Sequence, residues 1–183
     1  HIVRSKAASK NYTIGGDLTV IQMTGHWEQL YCVEEDANVN GNVTVSIQEG
    51  SLMNLTGIKG ASIGGDFRLT TGETVEFTGK GYVYGCQGTV SGDYEFTINN
   101  ANTMAQNYTY LYPFNYGESE IGGDVIITEV GGYYDQLNYN GGSSKIKVAG
   151  DYTLTIKGVR EHDKLYGIHN IEVEGDVSIT LQE

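Results

Sequence analysis

A four-residue motif, Ile-Gly-Gly-Asp, occurs three times in this chain, at residues 14–17, 63–66 and 121–124. Relaxed to an apolar residue, any residue, glycine and then Asp or Asn, the pattern occurs seven times, with glycines at Gly16, Gly41, Gly65, Gly92, Gly123, Gly150 and Gly175. These glycines are separated by 25, 24, 27, 31, 27 and 25 residues. A repeat of this length predicts a solenoid in which each copy forms one coil.

Each copy continues into a segment of alternating apolar residues. Two positions are apolar in all seven copies, forming the columns Leu18, Val43, Phe67, Tyr94, Val125, Tyr152 and Val177, and Val20, Val45, Leu69, Phe96, Ile127, Leu154 and Ile179. Alternation with a period of two indicates a strand with one buried face. Because each copy is one turn of the same path, we expect parallel strands whose apolar columns form a continuous core.

A second, looser signal precedes most copies and marks another strand in each coil. It occupies residues 30–33, 55–58, 83–86 and 165–168. The sequence therefore predicts an all-β chain, a single right-handed parallel β-helix (β-solenoid) of about seven coils, with residues 1–183 forming one domain. The chain begins at His1, without an initiating Met or a signal-peptide pattern, and we interpret it as a fragment of a longer protein.

Composition narrows the partners that this domain can bind. The net charge of −12 argues against nucleic acid, which needs clustered Lys and Arg. No run of apolar residues is long enough for membrane insertion, and no cofactor is predicted. The two cysteines, Cys32 and Cys86, lie two coils apart, which places them about 10 Å from each other and beyond disulfide reach. We predict two free, buried thiols.

The Gly-Asp pair of each copy predicts a sharp corner. Glycine can adopt the positive φ of a tight bend, and the Asp or Asn side chain can accept nearby backbone N–H groups as in an Asx turn. Stacking would also align the acidic side chains in a column at about 4.8 Å spacing, which is tolerable where the carboxylates are hydrated and bonded to N–H groups. Cation binding along the column is the alternative interpretation.

The repeat units resemble those of a known group of proteins. The segment Gly175–Thr180, preceded by Leu165–Ile168, is similar to the repeats of bacterial cell-surface parallel β-helix proteins, adhesin-like or carbohydrate-binding-like proteins of gut Gram-positive bacteria. The resemblance extends from about residue 11 to residue 181. It implies an extracellular or cell-surface location and supplies no catalytic residues. An open solenoid end also predicts end-to-end contact with flanking domains or a partner chain.

The most distinctive stretch lies in the longest coil, where aromatic residues alternate. They would lie on one face of an extended segment, and we predict a ligand-binding surface for host or cell-wall glycans formed by Tyr108, Tyr110, Tyr112, Phe114 and Tyr116, extended by Tyr133 and Tyr134. Tyr139 lies in the same coil as these last two residues and would extend either this surface or its alternative. The alternative is that these rings pack in the core or cover a neighbouring coil.

The function predicted from the sequence is a non-catalytic surface or adhesion module that binds glycans. Two alternatives stay open at this point. The first is a polysaccharide-cleaving β-helix enzyme that uses the charged cluster Arg160–Lys164. The second is a purely structural stalk that spaces other domains. An enzyme needs two or more converging acids, whereas a binding module needs exposed aromatic rings and a stalk needs neither.

Overall fold

The computed structural model describes residues 3–4, 12–34, 37–103, 109–114, 117–140, 144–159 and 164–183. Strands, turns and bends account for their regular structure. The described residues include no helix long and apolar enough to cross a membrane.

Twenty strands form the coils. They are β1 Val3–Arg4, β2 Tyr12–Ile14, β3 Leu18–Gln22, β4 His26–Glu34, β5 Ala37–Val39, β6 Val43–Ile47, β7 Ser51–Ile63, β8 Phe67–Thr71, β9 Glu76–Phe77, β10 Tyr82–Val90, β11 Tyr94–Asn100, β12 Thr109–Phe114, β13 Glu118–Ile121, β14 Val125–Gly131, β15 Tyr134–Leu137, β16 Lys145–Val148, β17 Tyr152–Lys157, β18 Lys164–Leu165, β19 Ile171–Val173 and β20 Val177–Gln182.

Two sheets run along the solenoid. One contains seven strands in the order β20-β17-β14-β11-β8-β6-β3, all paired in parallel. The other contains thirteen strands, and the path β1-β4-β7-β10-β12-β15-β18 forms its main line. Seven stacked strands are joined by six turns of chain, which is close to the seven coils predicted. The all-β solenoid is confirmed.

The seven-stranded sheet has the register that the repeat predicts. Leu18 lies opposite Val43, Val43 opposite Phe67, and the column continues without a slip to Val177. In the five inner coils the side chains of both predicted columns are at most 1% exposed. Burial of these apolar side chains contributes about 25 cal/mol per Å² and provides the main stabilisation of the stack.

The second predicted strand is also confirmed, and it is present in more coils than the sequence signal marked. Leu30, Leu55 and Val83 stack in one column of the thirteen-stranded sheet. Two further members, Leu111 and Leu137, continue it to Leu165. The sequence pattern did not identify Leu111 and Leu137, because neither has a glycine two residues later, as most of the other copies do.

The corners are built differently from the expectation. None of the seven corner glycines has a positive φ, so that part of the prediction is wrong. The acidic side chains do not close local turns either. Instead, Asp93 Oδ1 accepts the N–H of Asp124 in the next coil at 2.9 Å. The same bond joins successive coils at 2.7–2.9 Å from Asp17 to Asp176.

The corner glycines are required by the close approach of the preceding coil. A Cβ atom on Gly123 would overlap Asp93 Oδ1 and lie 2.8 Å from the carbonyl carbon of Gly92. The equivalent overlap with an Asp or Asn oxygen occurs at Gly41, Gly65, Gly92, Gly150 and Gly175. The acidic side chains from Asp17 to Asp151 are exposed and bonded to N–H groups, which are the conditions under which the column was expected to be tolerated. Among the described residues, no group of three or more His, Cys, Asp or Glu is arranged to hold a metal ion.

Replacing Asp93 with alanine should lower the free energy of unfolding by about 1 to 2 kcal/mol, because it leaves the N–H of Asp124 without its acceptor. Asp93→Asn is the matched control, since an amide oxygen serves at Asn42, whose Oδ1 accepts the N–H of Asp66 at 2.8 Å. Urea unfolding of both variants measures the difference. Equal losses in the two variants would show that the hydrogen bond is not what stabilises the corner.

The two cysteines are free and buried, as predicted. Both are 0% exposed, Cys32 in β4 and Cys86 in β10. Burial raises the pKa of both thiols to about 12. Because the thiolate is the reactive species, burial and the raised pKa disfavour reaction at either sulfur.

Candidate functional site

Tyrosines on two neighbouring strands point outward from the thirteen-stranded sheet. Tyr82 of β10 lies opposite Tyr110 of β12, and Tyr84 lies opposite Tyr112. Between them, Val83 pairs with Leu111, and both of these side chains are 0% exposed. Since side chains alternate across a strand, burial of the aliphatic residues places the tyrosine rings on the outer face.

These four rings are in mutual contact. The centroids of Tyr82 and Tyr110 are 4.9 Å apart with nearly parallel planes, and those of Tyr82 and Tyr84 are 5.6 Å apart. Tyr84 and Tyr112 are separated by 5.5 Å. Distances in this range are typical of favourable aromatic pairs. The contacts join the four rings into one packed set, in which Tyr82 is 40% exposed and Tyr112 is 4% exposed.

The aromatic surface continues toward the C-terminal coil. The centroids of Tyr112 and Tyr139 are 6.0 Å apart, and those of Tyr139 and Tyr166 are 5.0 Å apart. His169 lies 5.1 Å from Tyr139 and 5.2 Å from Tyr166. We call this continuous set the aromatic ladder: Tyr82, Tyr84, Tyr110, Tyr112, Tyr139, Tyr166 and His169. It crosses four successive coils.

An irregular residue brings Tyr139 into the aromatic ladder. Tyr112 and Tyr166 directly follow the stacked leucines Leu111 and Leu165, whereas Asn138 intervenes between Leu137 and Tyr139. Asn138 has a φ of 58° and is 2% exposed. Asn tolerates this left-handed conformation better than most residues, and the inserted residue returns Tyr139 to the outer face.

The structure describes five of the seven residues predicted to bind glycans. Tyr110 and Tyr112 belong to the aromatic ladder, where Tyr112 is only 4% exposed, and Tyr133 is half-buried. Phe114 and Tyr134 are each 1% exposed and lie in the core, so their prediction as ligand-binding residues is wrong. Tyr108 and Tyr116 lie outside the described residues.

The alternation fails because the strand changes face at Pro113. Leu111 and Phe114 are three residues apart and both point inward, where Phe114 packs 5.3 Å from the ring of Tyr94. The neighbouring coil has Gly85 at this level, and a Cβ there would overlap the carbonyl oxygen of Pro113. The Tyr94 hydroxyl donates to that same oxygen at 2.7 Å. A strict period of two could not predict this switch.

A groove lies beside the aromatic ladder on the same outer face. It has a volume of about 400 Å³ and is lined by Gln29, Tyr31, Asn54, Thr56, Lys59, Lys80, Tyr82 and Tyr84. Its amides are held in place: Asn54 Oδ1 accepts the N–H of Tyr82 at 2.9 Å, and the Asn54 amide donates to the Glu28 carbonyl at 3.2 Å. The Tyr31 hydroxyl donates to Gln29 Oε1 at 3.3 Å.

None of the eight described residues that line the groove is acidic, although the chain carries 23 acidic and 11 basic side chains. The charged groups there are the ammonium groups of Lys59 and Lys80, both on exposed residues. The groove therefore offers aromatic faces, amide and hydroxyl groups, and positive charge.

Sequence reasoning missed most of the aromatic ladder and the groove. Tyr31, Tyr84 and Tyr166 each occupy the second position of the looser strand signal, at residues 30–33, 83–86 and 165–168. That column was visible in the sequence, but its aromatic character was not used. Tyr139 lies outside that column, because the irregular Asn138 shifts it by one residue, and the sequence indicated it only as an extension of the aromatic stretch.

A buried acid lies on the opposite side of the core. Glu129 of β14 takes the position that Ile98 and Ile156 occupy in neighbouring coils, and it is 0% exposed. Burial raises its pKa to about 8. Its Oε2 is 3.5 Å from the Asn138 amide, whereas Oε1 has no hydrogen-bond partner among the described residues.

Of the charged cluster Arg160–Lys164, the structure describes only Lys164, which begins β18.

The fold and this outer face define the chain as a parallel β-solenoid with an external aromatic ladder. No protein-family model, curated protein or solved structure matches the chain. The geometry of the aromatic ladder and its groove is therefore the basis for a functional proposal.

Proposed function

We propose that this domain is a non-catalytic, extracellular surface or adhesion module that binds glycans along the aromatic ladder and its groove. One observation carries the proposal: outward-facing rings pack against one another over four coils, at centroid distances of 4.9–6.2 Å between neighbouring tyrosines, and all of these tyrosines except Tyr112 are at least partly exposed. Core packing does not require them, because the aliphatic residues between them already fill the interior.

The chemistry of this face suits a sugar chain. The C–H faces of pyranose rings pack against aromatic rings, and Tyr provides such a surface at low cost in conformational entropy. Sugar hydroxyls need hydrogen-bond partners, which the side-chain amides of Gln29 and Asn54 supply in the groove. Lys59 and Lys80 add positive charge that favours an acidic sugar over a neutral one.

The groove favours binding over cleavage. Glycosidases of the common type use a pair of carboxyl groups on either side of the scissile bond. No carboxyl group is present among the described residues that line the groove, and Glu129 is enclosed in the core. The stalk alternative differs from the proposal in one respect, because a stalk has no ligand on this face.

Removing two rings where the groove meets the aromatic ladder should weaken glycan binding about tenfold or more. Each aromatic contact contributes about 0.5 to 1.5 kcal/mol, and about 1.4 kcal/mol corresponds to a factor of ten. The variant Tyr82→Ala/Tyr84→Ala should be compared with wild type on an array of neutral and acidic glycans, followed by calorimetric titration of the best ligand.

The matched control is Tyr12→Ala, which removes a tyrosine that is 59% exposed and lies outside the aromatic ladder. We expect it to bind as wild type does, and circular dichroism should show that all three proteins are folded. If wild type binds no glycan, the stalk interpretation replaces the proposal. Equal binding by the double variant would place the glycan site elsewhere.

A further inference from the structure

Five buried polar atoms of two neighbouring coils have no hydrogen-bond partner among the described residues. They are Asn100 Nδ2, Thr109 Oγ1, Glu129 Oε1, Tyr134 Oη and Asn138 Oδ1. All five residues are at most 4% exposed. Asn100 and Thr109 belong to the coil that follows Gly92, and the other three belong to the coil that follows Gly123. Buried polar groups in proteins nearly always have a partner, either another protein group or an ordered water molecule.

These atoms surround a common point in the core. Thr109 of β12 lies opposite Tyr134 of β15, and Asn138 Nδ2 is 3.5 Å from Glu129 Oε2. Burial raises the pKa of Tyr134, the charge of Glu129 raises it further, and the Asn100 amide lowers it. The Tyr134 hydroxyl is therefore close to Glu129 and to Asn100, but it has hydrogen-bonding geometry with neither.

The cluster presents hydrogen-bond donors as well as acceptors. Asn100 Oδ1 accepts the N–H of Phe77 at 3.2 Å and the N–H of Asn102 at 3.0 Å, which fixes the orientation of the amide and leaves Nδ2 as a donor. Asn138 directs its Nδ2 toward Glu129, so its Oδ1 is left as an acceptor. A metal ion does not fit this set, because the Asn100 N–H groups would repel it.

We infer that one water molecule is bound inside the core and bridges the two coils. It accepts hydrogen bonds from Asn100 Nδ2 and from the protonated Glu129 carboxyl group, and it donates to Asn138 Oδ1 and to the Tyr134 hydroxyl. Buried waters in proteins make about three such bonds, to groups that would otherwise be unpaired. We call this molecule the bridging water.

The bridging water is consistent with two other features of the structure. It uses the neutral form of Glu129, and burial raises the pKa of that carboxyl group to about 8. It also binds Asn138, whose left-handed conformation places Tyr139 in the aromatic ladder. The water therefore helps to hold the one irregular residue on which that part of the outer face depends.

The sign of the stability change in Tyr134→Phe tests the inference. Phenylalanine keeps the ring and removes only the hydroxyl. If the hydroxyl bonds the bridging water, its loss should raise the equilibrium constant for unfolding about fivefold. If the hydroxyl is unpaired, its removal should lower that constant, because a buried polar group without a partner destabilises the fold. Urea unfolding at pH 6 measures the change.

Tyr94→Phe is the matched control. Tyr94 is also buried, and its hydroxyl donates to the Pro113 carbonyl at 2.7 Å. We expect Tyr134→Phe and Tyr94→Phe to raise the unfolding constant by similar factors. Tyr12→Phe removes a hydroxyl from a residue that is 59% exposed and should leave the constant unchanged.

Magnetic relaxation dispersion of the solvent oxygen nuclei counts long-lived internal waters directly. Glu129→Ile should hold one fewer than wild type, since isoleucine is the residue at this position in the neighbouring coils and has no polar atom. Glu129→Gln should hold the same number as wild type, because its amide can donate to the water as the protonated acid does. Internal waters elsewhere in the chain cancel in these comparisons.

Two results would overturn the inference: a Tyr134→Phe variant more stable than wild type, or equal water counts in wild type and a folded Glu129→Ile variant. A wild type stabilised by Na⁺, K⁺ or Ca²⁺ at constant ionic strength, with no such effect on Glu129→Gln, would show a cation in place of the water. If Glu129→Ile does not fold, the sign of the change in Tyr134→Phe decides the question.

Discussion

Replacing Gly123 with alanine should lower the free energy of unfolding by about 3 kcal/mol or more, at the upper end of the cost of overpacking. The added Cβ would overlap Asp93 Oδ1 and would lie 2.8 Å from a backbone carbon of Gly92. Relief requires moving two coils apart, which breaks the hydrogen bond from the N–H of Asp124 to Asp93 and loosens the core columns beside it.

The same substitution in the first copy of the motif is the control. Gly16→Ala adds a Cβ into open space at a residue without a positive φ, so the unfolding free energy should change by less than about 1 kcal/mol. Urea unfolding of both variants measures the difference. Equal losses would mean that the glycine of this motif serves the local corner and not the contact between coils.

Glu129→Gln should remove a large pH dependence of stability. Burial raises the pKa of Glu129 from its ordinary value of 4.5 to about 8. Between these two pH values the carboxyl group of Glu129 is therefore protonated in the folded chain and ionised in the unfolded chain. The wild type should lose stability progressively as the pH rises from about 4.5 to about 8, by several kcal/mol, since each pKa unit corresponds to about 1.4 kcal/mol.

Glutamine has the shape of the protonated acid and carries no charge at any pH. At pH 5 the variant and the wild type should unfold at similar urea concentrations, whereas at pH 8.5 the variant should be the more stable. Burial, followed by the charge of Glu129, raises the pKa of Tyr134 and Tyr152, so ionisation of these hydroxyls lies above the tested range.

An exposed carboxylate provides the comparison. The Glu118 side chain is 80% exposed and lies 4.0 Å from Lys145, so Glu118→Gln should leave the pH profile of the wild type unchanged. Parallel profiles for wild type and Glu129→Gln would show that Glu129 is hydrated in solution and that its burial does not govern stability at alkaline pH.

The stack of coils could be predicted from the sequence because it depends on a period that the sequence displays. The columns that begin at Leu18 and Val20 repeat in every copy, and hydrophobic burial aligns them without information from elsewhere in the chain. The corner was predicted in position but not in mechanism. The bond from Asp93 to Asp124 joins residues 31 apart, and a local turn rule has no access to such a contact.

The aromatic face was predicted only in part, because alternation describes a regular strand. Tyr110 and Tyr112 follow the rule, but Phe114 does not, since Pro113 and Gly85 change the face of their strands. Tyr139 joins the aromatic ladder through the left-handed Asn138. Such single-residue irregularities are decided by the packing of neighbouring coils and leave no periodic trace.

The sequence by itself therefore determined the solenoid, its register and the burial of its two apolar columns, because each coil repeats the same local pattern. Only the tertiary structure determined which tyrosines meet on the outer face. It also determined that glycine is needed at Gly123, whereas no described neighbour requires it at Gly16. These features depend on what the adjacent coil presents at a given level, and that contact exists only once the coils have stacked.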